Sequence, residues 1–434
     1  MTALCQAGVP AAFLNSSLTP SQYRKAMQNL LAGQYKIIYI APERLLSAAF
    51  IEAIAPLTIS LVAVDEAHCI SQWGKDFRPD YAEIPRFVAQ LPCRPVVAAF
   101  TATATDKVRR DIIEQLQLQN YAEFTTSFDR PNLYFEVQQP RNKDAALLRI
   151  VKKHAGESGI VYCATRKAVE SVCSTLLQND VSAARYHAGL SAAERSQSQE
   201  AFLFDTCDVI VATNAFGMGI DKSNVRFVVH YNLPLDLESY YQEAGRGGRD
   251  GLPADCILLY AKSDVMTGRF LIEKGNEVAE VESEEERSRL LERGYERLKS
   301  MTFYATTSHC LRHDLLQYFG EDAPQNCGNC GSCLGVERAS AADGPAHTAA
   351  PRGKEKLALA PQDVPLFNSL RELRLALAKR RGVPAFAVFT DATLLEIACK
   401  KPATSADFLR ISGVGTKKLE DYGTLFLQAI AQNK

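Results

Sequence analysis

Seven short runs of Val, Ile, Leu and Tyr constrain this chain more than any other feature: Lys36–Ile40, Leu61–Val64, Pro95–Phe100, Gly159–Cys163, Val209–Ala212, Arg226–Tyr231 and Cys256–Tyr260. Apart from Lys36, Arg226 and His230 they are continuously apolar, without the alternation of a strand that faces water on one side. Amphipathic helical patterns lie between them, among them Ser21–Leu31, Thr105–Leu116, Arg166–Gln178, Ala192–Phe204 and Leu237–Ala244. Continuous apolar strands alternating with helices build parallel sheets covered on both faces. The runs fall into two groups, separated near Thr125–Arg141, where SFDRPN carries turn residues. The expected fold class is α/β, with two parallel-sheet lobes over residues 1–125 and 126–264.

After Tyr260 the pattern turns to helix only. An acidic run, Glu282–Glu286, lies in a helix expected to reach Lys299 and reads as a solvated face. A cysteine-rich helical subdomain is placed at 265–335. Residues 334–361 are rich in Ala, Gly and Pro and have no apolar period, which describes a flexible linker, set at 336–362. From Asp363 onward helical periodicity returns, with 11 Lys and Arg against 7 Asp and Glu, so 363–434 is read as a small all-α, locally positive module.

Charge limits the function classes. Forty-nine Lys and Arg against fifty Asp and Glu give a net charge of −1, which excludes a chain coated in basic charge. Contact with nucleic acid must then come from local patches. No apolar stretch reaches the roughly 18–20 residues that span a bilayer. The opening MTALCQAGVP lacks the basic and apolar regions of a secretory signal. A cytoplasmic chain without membrane contact is expected.

Of twelve Cys, eight are isolated, and four stand apart: Cys310, then Cys327, Cys330 and Cys333 in CGNCGSC. Closely spaced thiolates separated by Gly can wrap one tetrahedral zinc ion, and a cytosolic cluster of this spacing favours a structural metal over a disulfide framework. His309 and His313 are nearby, as a spare ligand or as surface imidazoles. A redox cysteine cluster is the competing reading.

The stretch LVAVDEAHCISQWGKDFRP, residues 61–79, carries the chemistry. An apolar strand delivers Asp65 and Glu66 at its carboxyl end, where α/β sheets bind ligands. Adjacent carboxylates there suit nucleotide hydrolysis, one holding Mg²⁺ through water and the other polarising the attacking water. With Ala67 and His68 they spell DEAH, the Walker B form of superfamily 2 helicases. Residues 65–79 resemble the DEAH box and aromatic-rich loop of RecQ-family DNA helicases. Trp73, the only Trp, is then a platform for a base or sugar, against the alternative of a core anchor.

The rest of the RecQ pattern follows in order. Ala41-Pro42-Glu43-Arg44 resembles a motif that touches DNA phosphates, Thr101-Ala102-Thr103 resembles motif III, and Ile160–Cys163 the strand of motif IV. VATNAFGMGID (211–221) resembles motif V and QEAGRGGRDG (242–251) motif VI. Arg246 and Arg249, three residues apart, suit the charge on a transferring phosphoryl group. The cysteine cluster resembles the RecQ zinc subdomain, and ISGVGTKKLEDYG (411–423) the HRDC domain.

The resemblance implies two RecA-like lobes, the first incomplete, that open and close around ATP and Mg²⁺. It implies catalytic roles for Asp65, Glu66, His68, Gln242, Arg246 and Arg249, and nucleotide contacts at Asp65, Gly219 and Asp221. DNA contacts fall on Arg44, Trp73, Phe77, Arg78, Thr213, Lys417 and Tyr422, and Zn²⁺ on Cys310, Cys327, Cys330 and Cys333. The activity implied is ATP-dependent 3′–5′ DNA unwinding in replication, recombination and repair. The implied partners are single-stranded or partly duplex DNA, a separate N-terminal half, or a single-stranded-DNA-binding protein. The protein is expected to be a monomer, and nucleoid-associated in a bacterium.

Two departures temper this. No G-x-x-x-x-G-K-[ST] P-loop occurs, and GVGTKK (413–418) lacks its spacing. The chain opens in what looks like the middle of the first lobe. Asp65 is therefore expected to face a site without a phosphate cradle, the lobe to expose apolar sheet, and the chain to be inactive as an ATPase on its own. Secondly, 28 residues stand where the family carries a winged-helix domain, too few for a domain of about 50 or more. The alternative function is a non-enzymatic DNA-binding or interaction remnant of a split or truncated helicase gene. An RNA helicase of the broader DEAH class is disfavoured by the aromatic loop and the cysteines.

Overall fold

Strand pairing is parallel throughout the computed structural model, as strands buried on both faces and joined by helices require. The structure describes residues 4, 8–15, 18–45, 47–71, 78–217, 222–278, 283–336 and 359–433. Two units divide at 127/128 and are described separately.

In the first unit, β1 (Ala11–Leu14) pairs with β2 (Ile37–Ile40), and β3 (Leu61–Val64) with β4 (Val96–Ala99). Among the described residues these pairs form two separate two-stranded sheets. Helix α1 (Pro20–Leu31) starts at a capping box in which Thr19 and Gln22 satisfy each other's backbone N–H. Helices α2 (Ala48–Ile54), α3 (Ile84–Gln90) and α4 (Asp106–Gln115) follow. Phe50, Ile54, Phe87, Val108 and Ile112 pack from these helices onto Leu14 and Val64. The strands are nevertheless half-covered: Leu61 is 52% and Val96 68% exposed, and Ile37 and Tyr39 also face solvent.

The second unit contains a six-stranded sheet in the order β5-β10-β9-β6-β8-β7. Its strands are β5 (Leu133–Gln138), β6 (Ser158–Tyr162), β7 (Ala183–Tyr186), β8 (Val209–Ala212), β9 (Val225–His230) and β10 (Ala254–Leu259). Every residue of β6, β8 and β9 is buried. Helices α5 (Lys143–Lys153), α6 (Arg166–Gln178), α7 (Ala192–Leu203) and α8 (Leu237–Ala244) connect them. Asn142, Thr165, Ser191 and Asp236 cap those helices at their N-termini, each side chain accepting a first-turn N–H.

Three strands depart from the sequence reading. Ala11–Leu14 and Ala183–Tyr186 lie at edges, where pairing demands little β propensity. Leu133–Gln138 falls inside the stretch read as an inter-lobe turn. Its Leu133, Phe135 and Val137 face the core while Tyr134, Glu136 and Gln138 are half-exposed.

Helices α9 (Lys262–Val278), α10 (Glu284–Thr306) and α11 (Leu311–Tyr318) are not a separate body. Met301, Tyr304, Leu311 and Leu315 share one core with Leu133, Phe135, Tyr240 and Cys256 of the sheet layer. The C-terminal module has its own core, built on Leu370, Phe389, Leu394, Phe408 and Phe426. Among the described residues no helix is long and apolar enough to cross a membrane.

Candidate functional site

At the carboxyl end of β3 the chain turns through Asp65 and Glu66. Glu66 has φ 49°, a left-handed conformation that costs a non-glycine residue about 1–2 kcal/mol. Backbone bonds hold the turn: Phe100 N–H donates to the Val64 carbonyl and Ala67 N–H to that of Phe100, both at 2.8 Å. Glu66 N–H donates to Asp65 Oδ1 at 2.9 Å, leaving Asp65 exposed and Glu66 half-buried. His68 is buried, with Nδ1 3.0 Å from Thr101 Oγ1 and 3.4 Å from Glu66 Oε2. One imidazole thus ties the DEAH turn to the Thr-Ala-Thr segment.

Arg44 ends a short 3-10 turn, and its guanidinium lies over the Tyr23 ring at 5.2 Å. With Leu18, Pro20 and Arg24 these residues line an open groove of about 530 Å³. Arg78 is exposed, its N–H bonded to the Cys69 carbonyl. Trp73 and Phe77 lie outside the described residues, as do Gly219 and Asp221.

In the second unit Thr213, half-buried, follows β8 at the carboxyl edge of the sheet, its N–H donating to the Tyr186 carbonyl. Gln242 is half-buried on α8. The two arginines beyond α8 part company: Arg246 is buried and Arg249 exposed. Arg246 lies flat on motif V, where a Cβ at Gly217 would sit 2.6 Å from its Nη2. Tyr162 O–H donates to the Phe216 carbonyl at 3.0 Å in the same layer, its phenol pushed up by burial. His230 pairs with Glu243 at 2.9 Å and stacks on Tyr162, so strands β6 and β9 and helix α8 share one buried polar cluster.

The four cysteine sulfurs lie within 4.8 Å of one another, with Cys310–Cys330 at 3.9 Å and Cys327–Cys333 at 4.0 Å. A tetrahedron with the usual ~2.3 Å Zn–S bonds has edges of about 3.8 Å, so the donor set fits zinc. Backbone N–H groups of His313, Asn329 and Cys333 donate to Cys310, Cys327 and Cys330 sulfurs. The hydrogen bond between Cys327 and Cys330 holds the Cys330 thiol below the usual range and pushes the Cys327 thiol above it. Neither histidine belongs to it. His313 Nδ1 bonds the Ala323 carbonyl at 2.8 Å, and exposed His309 faces Asp314 at 3.6 Å.

In the C-terminal module Lys417 is exposed and Tyr422 is buried. The tyrosine lies against Phe389, and Arg381 covers its ring at 4.5 Å and donates to its hydroxyl. Sequence reasoning also missed Arg130, Asn132 and Arg312, treated below. An arginine among turn residues was the available sign of the first.

Four family models match in order: DEAD/DEAH box helicase over residues 5–112, helicase conserved C-terminal domain over 142–251, RecQ zinc-binding over 262–334 and HRDC domain over 363–430. The ATP-dependent DNA helicase RecQ of Bacillus subtilis is 37% identical, over 99% of this chain and 86% of its own length. That of Pasteurella multocida is 34% identical over 98% of this chain and 82% of its own length. This chain belongs to the RecQ family of ATP-dependent DNA helicases. The RecQ alignment to the Bacillus protein runs over 517 positions, of which this chain supplies at most 434, so that relative has at least 83 residues inside the matched span without a counterpart here. That is the size of a small domain. The RecQ zinc-binding and HRDC matches are separated by only 28 residues, 335–362.

Proposed function

We propose that this RecQ chain carries the motor residues of a 3′–5′ DNA translocase, and that residues 1–434 by themselves do not hydrolyse ATP. The observation that carries the reading is the left-handed DEAH turn, with Glu66 and Thr101 both held by His68. Asp65 is assigned to hold Mg²⁺ through water, and Glu66 to accept a proton from the attacking water. Bound Mg²⁺ would supply neutralising charge at the phosphates. His68 passes the state of Glu66 to Thr101, while exposed Arg249 offers its guanidinium to the transferred phosphoryl group and Arg246 holds motif V. Arg44, Arg78 and Thr213 are assigned to the DNA backbone, and Trp73 and Phe77, which precede Arg78 in the sequence, to its bases or sugars. The cysteine cluster is assigned to structural zinc.

The sequence contains no P-loop, so backbone N–H groups and a lysine for the β- and γ-phosphates are not supplied by these 434 residues. The same observation, with the solvent-facing strands of the first unit, favours a second reading in which this chain binds DNA without turning over nucleotide. DNA-stimulated phosphate release should be undetectable for the purified chain. Robust turnover that Glu66→Gln abolishes would refute the inactivity and restore the enzyme.

A further inference from the structure

Residues 128–132 have no regular secondary structure, yet each is bonded to one or both of two neighbours. On one side stands the cysteine subdomain. Phe128 N–H donates to Glu321 Oε2 at 2.7 Å, Arg312 of α11 donates to Asp129 and to the Arg130 and Leu133 carbonyls, and Asn329 donates to the Pro131 carbonyl at 3.1 Å. Asn329 lies between Cys327 and Cys330, and Gly331 N–H donates to the Phe135 carbonyl at 2.8 Å just beyond.

On the other side stands the glycine-arginine loop. Arg130 donates to the carbonyls of Gly245, Gly247 and Gly248, and Asn132 to those of Gly248 and Leu252. Tyr241 O–H donates to the Phe128 carbonyl at 2.8 Å. Carbonyls at a helix C-terminus lack partners within the helix and carry partial negative charge, so a cation there is favoured. A planar guanidinium spreads five donors over a fixed fork, so two of its nitrogens serve three carbonyls at once, whereas a lysine would have to reach all three from a single nitrogen. Gly248, at φ 53°, admits no side chain: a Cβ would lie 2.5 Å from both Asn132 Nδ2 and the Leu252 carbonyl oxygen. Arg246 and Arg249 stand within or beside this clamped run.

We propose that residues 128–132 form a strap through which the cysteine cluster sets the backbone of the arginine loop, with Arg130 as a positioning residue for Arg246 and Arg249. Its importance to catalysis rests on the phosphoryl-facing role given to Arg249 above; the mechanical link does not. With Arg312 in place, Asp129 and the Arg130 backbone are held, and the Arg130 fork can reach all three glycine carbonyls. When the cluster loses its metal, Asn329 and Arg312 lose their fixed origin and the fork is released.

Hydrogen exchange on the full chain, read by mass spectrometry beside zinc content, tests this. Arg130→Ala should keep one zinc per chain while amides across 245–252 exchange at least about tenfold faster, with those of α6 unchanged. Arg130→Lys should not restore protection. Arg312→Ala, or removal of zinc with a chelator, should loosen the same loop in the natural sequence and add nothing in the Arg130→Ala background. An unchanged loop in Arg130→Ala, additive effects of the two substitutions, or exchange that rises equally in α6 would each overturn the strap. ATP turnover enters none of these readings, so they stand apart from the test of Arg249 as a phosphoryl ligand.

Discussion

Two arginines three residues apart look equivalent on a helical wheel, but their surroundings give them different work. Arg246 is buried, its guanidinium seated where a Cβ at Gly217 would come within 2.6 Å of Nη2, and Arg249 reaches solvent. Gly217→Ala should push the guanidinium off its seat and destabilise the second unit by about 1–3 kcal/mol, the usual cost of overpacking. Gly251 is the control: its φ is 83° but nothing lies within 4 Å of an added Cβ, so Gly251→Ala bears only the backbone term of about 1–2 kcal/mol. Urea unfolding of both variants decides this. If Gly217→Ala leaves the midpoint untouched, the packing of Arg246 on motif V is wrong. The DEAH turn was legible as residues in the sequence, because four letters after an apolar strand specify it. The left-handed Glu66 and the His68 bridge were not, since they depend on Phe100 and Thr101, more than thirty positions away.

At the scale of elements, helix α11 and the cysteine loop are built onto β5. Cys310 caps the helix by accepting from His313 N–H, while the loop docks on the strand through Phe135 and Cys330. The acidic run read as a solvated face does open α10: Glu284, Glu285 and Glu286 occupy its first turn, where negative charge suits the helix dipole. Metal-binding free energy in such a cluster is also folding free energy. Cys330→Ser should abolish zinc binding and lower stability by more than about 2 kcal/mol. His313→Ala should keep its metal, because that imidazole serves a backbone carbonyl. Zinc analysis and thermal unfolding check both, and metal retained in the serine variant would break the assignment.

Across the whole molecule, charge balance and surface decide how DNA can be held. With a net charge of −1, long-range attraction is weak and DNA affinity is expected from local groups, of which Arg44, Arg78 and Lys417 are the proposed ones. Binding of a single-stranded oligonucleotide should fall at least about tenfold between roughly 50 and 200 mM salt, as counterion release at a few phosphates requires. Fluorescence anisotropy measures it, and a salt-independent affinity would point to stacking or hydrophobic contact instead. The HRDC match spans residues 363–430, within which Lys417 is exposed and Tyr422 buried. At least 83 residues of the Bacillus relative have no counterpart here, and the 28 residues between the zinc-binding and HRDC matches are too few for a domain of about 50 or more.

Local chemistry was readable in one dimension. A continuous apolar run specifies a parallel strand, a cysteine spacing specifies a metal loop, and DEAH or GRGGRDG keeps its meaning wherever it falls, since each depends on residues a few positions apart. Whatever depends on meeting a distant residue was decided by the fold alone. Tyr422 is a core ring because Arg381, 41 positions earlier, covers it. His309 and His313 are excluded from the cluster by where their nitrogens point. SFDRPN, punctuation in the sequence, is a strap because Arg130 meets glycine carbonyls 115 to 118 positions on and Arg312 returns from 183 positions away to hold Asp129. Side-chain identity states what a group can bond; only tertiary packing brings it a partner.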